Sequence, residues 1–249
     1  MDLGNPIAKG NTATIYLYKD KIIKIFNDYL PDTESSYEAN KQLYAYSCGL
    51  PVPEILDVTK IDGEQAIIMD YIKGKTLGAL ISENIDQAEH YMNIFIDTQQ
   101  KIHKCSADSL PPMSQKLRRQ IESASHLSEG TRTSLTQKLD SMKYETRLCH
   151  GDYHPFNLII SNNQVTIIDW VDSSAGDRRA DIYRTYLLCS QISTKLADMY
   201  LRIYCEKTGL SKNDIFQWAP IIAGARLSEN VSSEKTERLV AIVNKYVSH

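Results

Sequence analysis

Apolar and polar residues near the start of the chain alternate in a way that predicts a β-hairpin. Residues 14–18 alternate with the two-residue period of a half-buried strand, and a polar turn at residues 19–21 leads into a second apolar strand at residues 22–26. Lys24 lies in the middle of this second strand, on its apolar side. An unpaired ammonium group that faces a core is costly, so this lysine needs a specific reason to be there.

A helix is predicted directly after the hairpin. Ser35, followed three residues later by Glu38, fits a capping box at its start, and Gly49 fits the residue that ends it. The apolar stripe of this helix is predicted to consist of Ala39, Leu43 and Tyr46.

The two parts of the chain have different patterns. Residues 1–72 contain most of the strand signals and one helix, and the chain from residue 84 onward is mainly helical with one short β-rich interruption. The pattern therefore predicts an α+β protein. Beyond the first helix, the predicted elements are an extended segment at 50–58, a strand at 64–72, a helix at 84–104, weakly helical chain at 111–142, strands near 157–160 and 165–169, and helices over the last seventy residues.

Composition excludes several classes of protein. The 249 residues carry 28 Lys and Arg against 31 Asp and Glu, a net charge of −3, which argues against nucleic acid as a partner. A hydrophobic fraction of 42% excludes a disordered or collagen-like chain. No apolar stretch approaches the ~20 residues that cross a bilayer, so we expect no membrane partner. Five scattered cysteines are typical of reduced thiols and predict a cytoplasmic protein.

The segment LCHGDYHPFNLIISNNQVTIIDW carries the strongest chemical signal. Asp152 and Asn157 are five residues apart, on a loop that Gly151 and Pro155 keep from becoming a helix. Asp169 ends the strand that follows. Two carboxylates and an amide are hard oxygen ligands that suit magnesium. They also suit phosphoryl transfer, in which catalysis is mostly positioning and neutralisation of charge.

Two other interpretations of this segment remain. Asp and Asn favour turns, so Asp152 and Asn157 are also compatible with ordinary turn residues, and Asp169 with an ordinary residue at the end of a strand. His150 and His154 are spaced like a pair of zinc ligands, but that spacing works only on a helix, which the loop does not form. We therefore expect no zinc site, and we expect His150 to be a buried histidine that supports the loop.

The motifs HGDYHPFN and IDW resemble the catalytic loop and metal-binding strand of the aminoglycoside phosphotransferase and choline kinase family. These small-molecule kinases have a bilobal, protein-kinase-like fold. The resemblance implies a nucleotide-binding lobe at residues 1–72, with a small antiparallel sheet, and a mostly helical lobe at residues 73–249. It further implies that Asp152 accepts the proton of the attacking hydroxyl, and that Asn157 and Asp169 hold the Mg²⁺ bound to ATP or GTP.

The same resemblance assigns the nucleotide site. Lys24 would contact the phosphates and pair with Glu38, although Glu38 also fits the capping box and Lys24 also fits a side chain that extends to solvent from an edge strand. Ile22 would pack on the adenine. The remaining expected nucleotide contacts are the phosphate-covering loop with Gly10, Asn11 and Thr12, and the hinge with Met69, Asp70 and Ile72.

Spacing favours a small-molecule acceptor. Only about a dozen residues separate Asp169 from Asp181, too few for the peptide-docking platform of a protein kinase. By resemblance, Asp181 would brace the catalytic loop through backbone N–H groups. Arg178 stands where the family often has proline, a departure expected to affect the entry into the following helix.

Regional charge bears on the acceptor. Residues 111–148 hold seven basic and four acidic side chains, and residues 211–249 hold five and four, so neither segment is acidic. This disfavours a polycationic aminoglycoside and leaves a sugar, an amino alcohol or another hydroxyl compound, with Glu229 and Glu234 as candidate contacts. Two alternatives to a small-molecule kinase are a nucleotide-binding pseudokinase without turnover and an atypical protein kinase. The sequence does not define the oligomeric state.

Overall fold

The computed structural model describes residues 3–10, 12–231 and 233–247. The strands are β1 (Ala8–Lys9), β2 (Ala13–Tyr18), β3 (Lys21–Phe26), β4 (Ile55–Ile61), β5 (Glu64–Asp70), β6 (Lys75–Thr76), β7 (Arg147–Cys149), β8 (Leu158–Ser161), β9 (Gln164–Ile167) and β10 (Ser174–Gly176). The helices are α1 (Glu34–Ser47), α2 (Leu77–Glu83), α3 (Ala88–Lys104), α4 (Met113–Ser123), α5 (Glu129–Ser141), α6 (Arg178–Ile192), α7 (Thr194–Thr208), α8 (Lys212–Phe216), α9 (Ala219–Arg226) and α10 (Thr236–Val247).

The chain forms two compact units, each made of two segments. The first unit contains Met1–Asn84 and Pro155–Asp172, and the second contains Ile85–His154 and Ser173–His249. The first unit holds an antiparallel sheet of five strands in the order β1-β2-β3-β5-β4, and the second is mostly helical. The predicted α+β class and the predicted hairpin, now β2 and β3, are confirmed.

The unit boundaries differ from the division expected at residue 72. Strand β6 pairs with β8, which in turn pairs with β9, so residues that follow 72 belong to the first unit. The chain at Gly74 passes so close to β8 that an added Cβ would lie 2.3 Å from the Ile160 carbonyl oxygen. A glycine is therefore needed where the chain enters this second, three-stranded sheet.

Helix α1 packs against β4 and β5 but does not begin as the sequence predicted. Thr33 precedes its first residue, and Ser35 lies inside the helix, where its backbone N–H donates to Gln65 Oε1 at 2.9 Å. The capping box of Ser35 with Glu38 is therefore wrong, because Glu38 points to Lys24 instead. Gly49 follows the helix with φ +75°, a conformation that favours glycine.

The apolar stripe predicted for α1 is also largely wrong. Ala39 is buried, but Leu43 is 44% and Tyr46 is 56% exposed. The buried face of the helix instead contains Lys41 and Gln42. Apolar periodicity failed here because α1 presents polar side chains to the interior of the first unit.

The second unit has an apolar helical core. Helix α3 packs against α7 and β7, and it buries Met92, Phe95 and Ile102. The weakly helical stretch 111–142 forms α4 and α5. Strand β7 pairs with β10, and α6 packs against α7, α8 and α9.

None of the helices in the described part of the chain has the length and apolarity that a membrane span requires. All five cysteines are free thiols.

Candidate functional site

The first unit contains a cavity of about 310 Å³. It is lined by eight of the residues that the sequence analysis assigned to the nucleotide or to the metal ion. These residues are Ile22, Lys24, Glu38, Met69, Asp70, Ile72, Asn157 and Asp169. Residues from the five-stranded sheet, from α1 and from the three-stranded sheet therefore converge on one space.

The buried lysine of β3 has a partner in α1. Lys24 Nζ lies 2.5 Å from Glu38 Oε1, and both side chains are almost fully buried. Glu38 Oε2 has no hydrogen-bond partner among the described residues. Burial raises the pKa of the Glu38 carboxyl above its usual value, against the lowering effect of Lys24. The pair places a cation, with one carboxylate beside it, in the wall of the cavity.

Asp169 lies on the same cavity, two residues beyond the end of β9. Its backbone has φ +65°, in the left-handed region that is uncommon for residues other than glycine. Its Oδ1 is buried, has no hydrogen-bond partner within the described ranges, and lies 4.0 Å from Lys24 Nζ. A buried carboxylate oxygen without a donor is costly unless a cation or another donor approaches it.

Asn157 is held beside the strand that leads to Asp169. It ends the short 3-10 turn Pro155–Asn157, is 7% exposed, and its carbonyl accepts from the Ile168 N–H at 3.0 Å. An amide oxygen and a carboxylate whose Oδ1 lacks a hydrogen bond form a donor set that suits a hard divalent cation such as Mg²⁺. The residues present therefore fit the ion that the sequence implied.

The Phe156 ring of this turn packs against α2. The ring lies so close to Gly78 that an added Cβ at position 78 would be 2.7 Å from it. Only glycine at position 78 allows this contact. Helix α2 therefore packs closely against the turn that carries Asn157.

The expected phosphate-covering loop is only partly described. Gly10 N–H donates to the Ala13 carbonyl at 2.9 Å, and the Thr12 carbonyl accepts from Asn27 N–H at 2.9 Å. Neither Gly10 nor Thr12 lines the cavity, and Asn11 lies outside the described residues. Other residues in the cavity wall are Ile15 of β2, Ala8 of β1 and Ile7, which directly precedes β1.

Several lining residues were not found from the sequence. Tyr71, Ile159 and Ile168 add to a largely apolar wall, and Gln42 of α1 donates to the Pro53 carbonyl at 2.8 Å. Ile168 is adjacent to Asp169 in sequence and Ile159 lies two residues after Asn157, which is the one signal that points to these isoleucines. An apolar space edged by Lys24 and oxygen ligands suits a molecule with a flat apolar part and an anionic tail.

Asp152 belongs to the second unit, on the loop after β7. Its Oδ2 lies 3.5 Å from His154 Nε2, and its N–H donates to His150 Nδ1 at 3.3 Å. Burial alone would raise the pKa of the Asp152 carboxyl, but the hydrogen bond and charge of His154, with Arg184 and His150, hold it well below its usual value. The side chain is therefore an ionised carboxylate at neutral pH.

Asp181 lies beneath this loop in the first turn of α6. Its carboxylate accepts from the backbone N–H groups of Gly151 at 2.8 Å and His150 at 3.3 Å, and it lies 2.9 Å from His103 Nε2. Burial opposes ionisation, but the bond to His103 and the Gly151 N–H lower the pKa of the Asp181 carboxyl. His150 is fully buried beside the Tyr153 ring.

Two residues that hold this loop were not identified from the sequence. His103 of α3 bonds Tyr204 through its other ring nitrogen at 3.0 Å. Tyr153 is fully buried, stacks on Phe95 with ring centroids 4.4 Å apart, and donates its hydroxyl to the Phe95 carbonyl. Their partners are far away in sequence, so no local pattern indicates them.

The helix entry at Arg178 is undisturbed by the missing proline. Arg178 is the first residue of α6, and the Asp177 side chain caps the helix by accepting from Arg179 N–H at 2.8 Å. Proline is tolerated at this first position because no hydrogen bond is required there. The Asp177 side chain therefore caps the start of α6 although no proline is present.

The two candidate acceptor residues are already engaged. Glu229 Oε2 pairs with Arg184 at 2.8 Å and with Arg226 at 2.5 Å. Glu234 pairs with Arg238 through two hydrogen bonds of 3.0 Å. These arginines neutralise the carboxylates, and a contact with an acceptor stays a prediction.

The class of protein follows from the family comparison. A family model described as the phosphotransferase enzyme family matches residues 4–219. The chain therefore belongs to that family of phosphotransferases. No curated protein sequence matches the chain.

Solved structures share the fold at low sequence identity. A thermostable mutant of aminoglycoside phosphotransferase APH(4)-Ia, in its apo form, has a TM-score of 0.72 at 13% identity and covers 98% of this chain and 95% of that chain. A choline/ethanolamine kinase family protein from Mesorhizobium loti has a TM-score of 0.63 at 14% identity, covering 95% and 84%. ADP-bound APH(2'')-Ib has a TM-score of 0.63 at 17% identity, covering 96% and 90%. The kinase-like fold class is confirmed.

Proposed function

We propose that this phosphotransferase transfers the γ-phosphoryl group of ATP or GTP, as its magnesium complex, to a hydroxyl group of a small molecule. The observation that carries the proposal is one cavity that combines the Lys24–Glu38 pair with Asp169, whose buried Oδ1 lacks a hydrogen-bond donor in the described chain. A cation for phosphate and an oxygen ligand for a metal ion are the two parts that a nucleotide triphosphate requires.

Structures of the same fold support the nucleotide. Aminoglycoside phosphotransferase APH(4)-Ia has been solved in ternary complexes with hygromycin B and either ADP or AMP-PNP, at TM-scores of 0.70 and 0.71. In this chain, the apolar cavity wall with Ile22 and Met69 would hold the base. Lys24 would contact the phosphates, and Glu38 would keep its ammonium in place.

Asn157 and Asp169 would hold Mg²⁺ through their side-chain oxygens. The ion would neutralise charge on the phosphate oxygens during transfer. The side chains are prepared for this because Asn157 is fixed by its turn, and because Asp169 Oδ1 has no donor among the described residues to displace.

Asp152 would act on the acceptor. As the acceptor oxygen forms a bond to the γ-phosphorus, the bond from that phosphorus to the bridging oxygen breaks, and the hydroxyl proton moves to an Asp152 carboxylate oxygen. A pKa below the usual value makes Asp152 a weak base. It would therefore orient the hydroxyl first and take the proton late, as a loose transition state allows.

The acceptor would be a small hydroxyl compound. The short span from Asp169 to Asp181 is taken up by β10 and the start of α6, which leaves no segment for docking a peptide. The arginines paired with Glu229 and Glu234 neutralise these two carboxylates, so the pairs offer no free negative charge to a polycation. A sugar or another acceptor with little positive charge fits better.

The test separates this function from a nucleotide-binding module. We expect the protein to bind AMP-PNP and to consume ATP with at least one member of a panel of sugars, amino alcohols, nucleosides and aminoglycosides. Asp152→Asn should lower kcat about 100-fold or more and leave the Kd for AMP-PNP within about twofold, because its carboxylate acts on the acceptor.

Asp140→Asn is the matched control, since Asp140 is an exposed carboxylate paired with Arg118. It should leave kcat unchanged. Binding of AMP-PNP without turnover on any acceptor would favour the module, labelled peptides would favour a protein kinase, and normal turnover in Asp152→Asn would remove the proposed base.

A further inference from the structure

A second lysine of α1 is buried, and the proposed reaction does not use it. Lys41 is 5% exposed, and its Nζ donates to the Val171 carbonyl at 2.5 Å. The ammonium also lies 4.2 Å from the centroid of the Tyr37 ring, and Tyr37 itself is partly exposed. A buried ammonium carries a desolvation cost, so a lysine at this point needs a reason other than stability.

The acceptor of this hydrogen bond lies two residues beyond Asp169. Asp169 has the left-handed backbone conformation, which few residues other than glycine adopt. Such a conformation persists only when neighbouring contacts hold it. The Trp170 indole N–H, which donates to the Ile167 carbonyl at 3.2 Å, is one such contact, and Lys41 on Val171 is another.

Lys41 and Glu38 lie three residues apart and therefore on the same face of α1. Glu38 reaches Lys24 of β3, and Lys41 reaches the chain after Asp169. Helix α1 thus contacts both the lysine and the metal-ligand segment of the cavity. Any movement of α1 would alter both contacts at once.

We propose that Lys41 is a positioning residue that holds Asp169 in the conformation needed to bind the magnesium–nucleotide complex. The proposal rests on the proposed function of Asp169. Through Lys41, the position of α1 sets the affinity for the metal ion as well as the position of the Lys24–Glu38 pair.

The experiment measures AMP-PNP binding by calorimetry, with Mg²⁺ present and with the metal chelated. Lys41→Met removes the ammonium and keeps an unbranched apolar chain. We expect it to raise the Kd for AMP-PNP with Mg²⁺ by about 10-fold and to change the metal-free Kd by less than about twofold. Lys41→Gln, which keeps an N–H donor on a shorter chain, should give a smaller increase.

Lys60→Met is the matched control, because Lys60 is an exposed lysine on the edge strand β4. It should leave both Kd values unchanged. In an Asp169→Asn background, Lys41→Met should have no further effect on the Kd with Mg²⁺, because its target is already lost.

The outcomes separate the two proposals. Wild-type protein that shows no effect of Mg²⁺ on AMP-PNP binding overturns the assigned role of Asp169 and with it this inference. A Mg²⁺ effect that is equally large in wild type and in both Lys41 variants overturns the inference alone. A lower Tm in Lys41→Met with an unchanged ratio of the two Kd values would assign Lys41 to stability only.

Discussion

Glu38 in the first unit and Asp181 in the second unit are both buried carboxylates, but their hydrogen-bond partners differ. Glu38 in the first unit has a single lysine on one oxygen, and its other oxygen has no hydrogen-bond partner among the described residues. Asp181 in the second unit accepts two backbone N–H groups and contacts His103. Burial raises the pKa of Glu38, whereas the donors around Asp181 lower its pKa despite full burial.

The Asp181 carboxylate stabilises a loop through several hydrogen bonds, whereas the Glu38 carboxylate has a hydrogen bond on only one of its oxygens among the described residues. Backbone donors are fixed, so the Asp181 network favours one arrangement of residues 150–152. The Lys24–Glu38 pair leaves one carboxylate oxygen without a hydrogen-bond partner among the described residues, and a buried ion pair of this kind adds little to stability. We expect Asp181 to be needed mainly for folding and Glu38 mainly for turnover.

The largest expected effect is on the stabilising carboxylate. Asp181→Ala leaves two backbone N–H groups and His103 buried without their acceptor, so the free energy of unfolding should fall by about 3–5 kcal/mol. Denaturant unfolding measures this change. Asp97→Ala, which removes an exposed carboxylate paired with Lys207, should cost less than about 1 kcal/mol. Equal losses in the two variants would contradict the role of Asp181.

A smaller effect, of a different kind, is expected at Glu38. Glu38→Gln keeps an oxygen acceptor for Lys24, and Asp169 remains 4.0 Å from the ammonium, so the free energy of unfolding should fall by about 1–3 kcal/mol, less than for Asp181→Ala. The value of kcat/KM for ATP should fall about 10- to 100-fold, because Lys24 is no longer held by a charge. Steady-state kinetics and unfolding on the same samples decide this. A variant that is unstable yet fully active would reverse the comparison.

The smallest effect is the opposite pH dependence of the two carboxylates. The lowered pKa of Asp181 means that its contribution to stability is present above its unfolded value, about 3.9, and is lost as the pH falls through the folded value. The raised pKa of Glu38 means that its contribution to stability is present below its unfolded pKa, about 4.3, and is lost as the pH rises through its folded pKa. The free energy of unfolding of the wild type minus that of Asp181→Asn should therefore increase as the pH rises. The corresponding difference between the wild type and Glu38→Gln should decrease as the pH rises. Slopes of the same sign would contradict the comparison.

The sequence indicated the chemistry-bearing residues better than their surroundings. Lys24 was identified because a lysine in an apolar strand is unusual, and Asp152, Asn157 and Asp169 because they share one short motif. All but Asp152 line the cavity of the first unit. Residues that depend on distant partners, such as His103 and Tyr153, carried no comparable signal.

Helix α1 shows why apolar periodicity fails beside a functional site. Its buried face carries Glu38, Lys41 and Gln42, and its exposed face carries Leu43 and Tyr46. A pattern that assigns apolar side chains to the interior therefore selects the wrong face. Such a pattern cannot identify Lys41, because its acceptor, the Val171 carbonyl, is a backbone atom 130 residues away.

The interrupted first unit also has a consequence for how the chain is made. The strands that complete its second sheet, and the carbonyl that accepts from Lys41, belong to Pro155–Asp172, so the 88 residues from 85 to 172 must leave the ribosome after Asn84 before the unit is whole. At a synthesis rate of about 5–20 residues per second, that interval lasts roughly 4 to 18 seconds. During translation the edge of β6 and the Lys41 ammonium therefore remain without their partners from residues 155–172 while the intervening helices are synthesised.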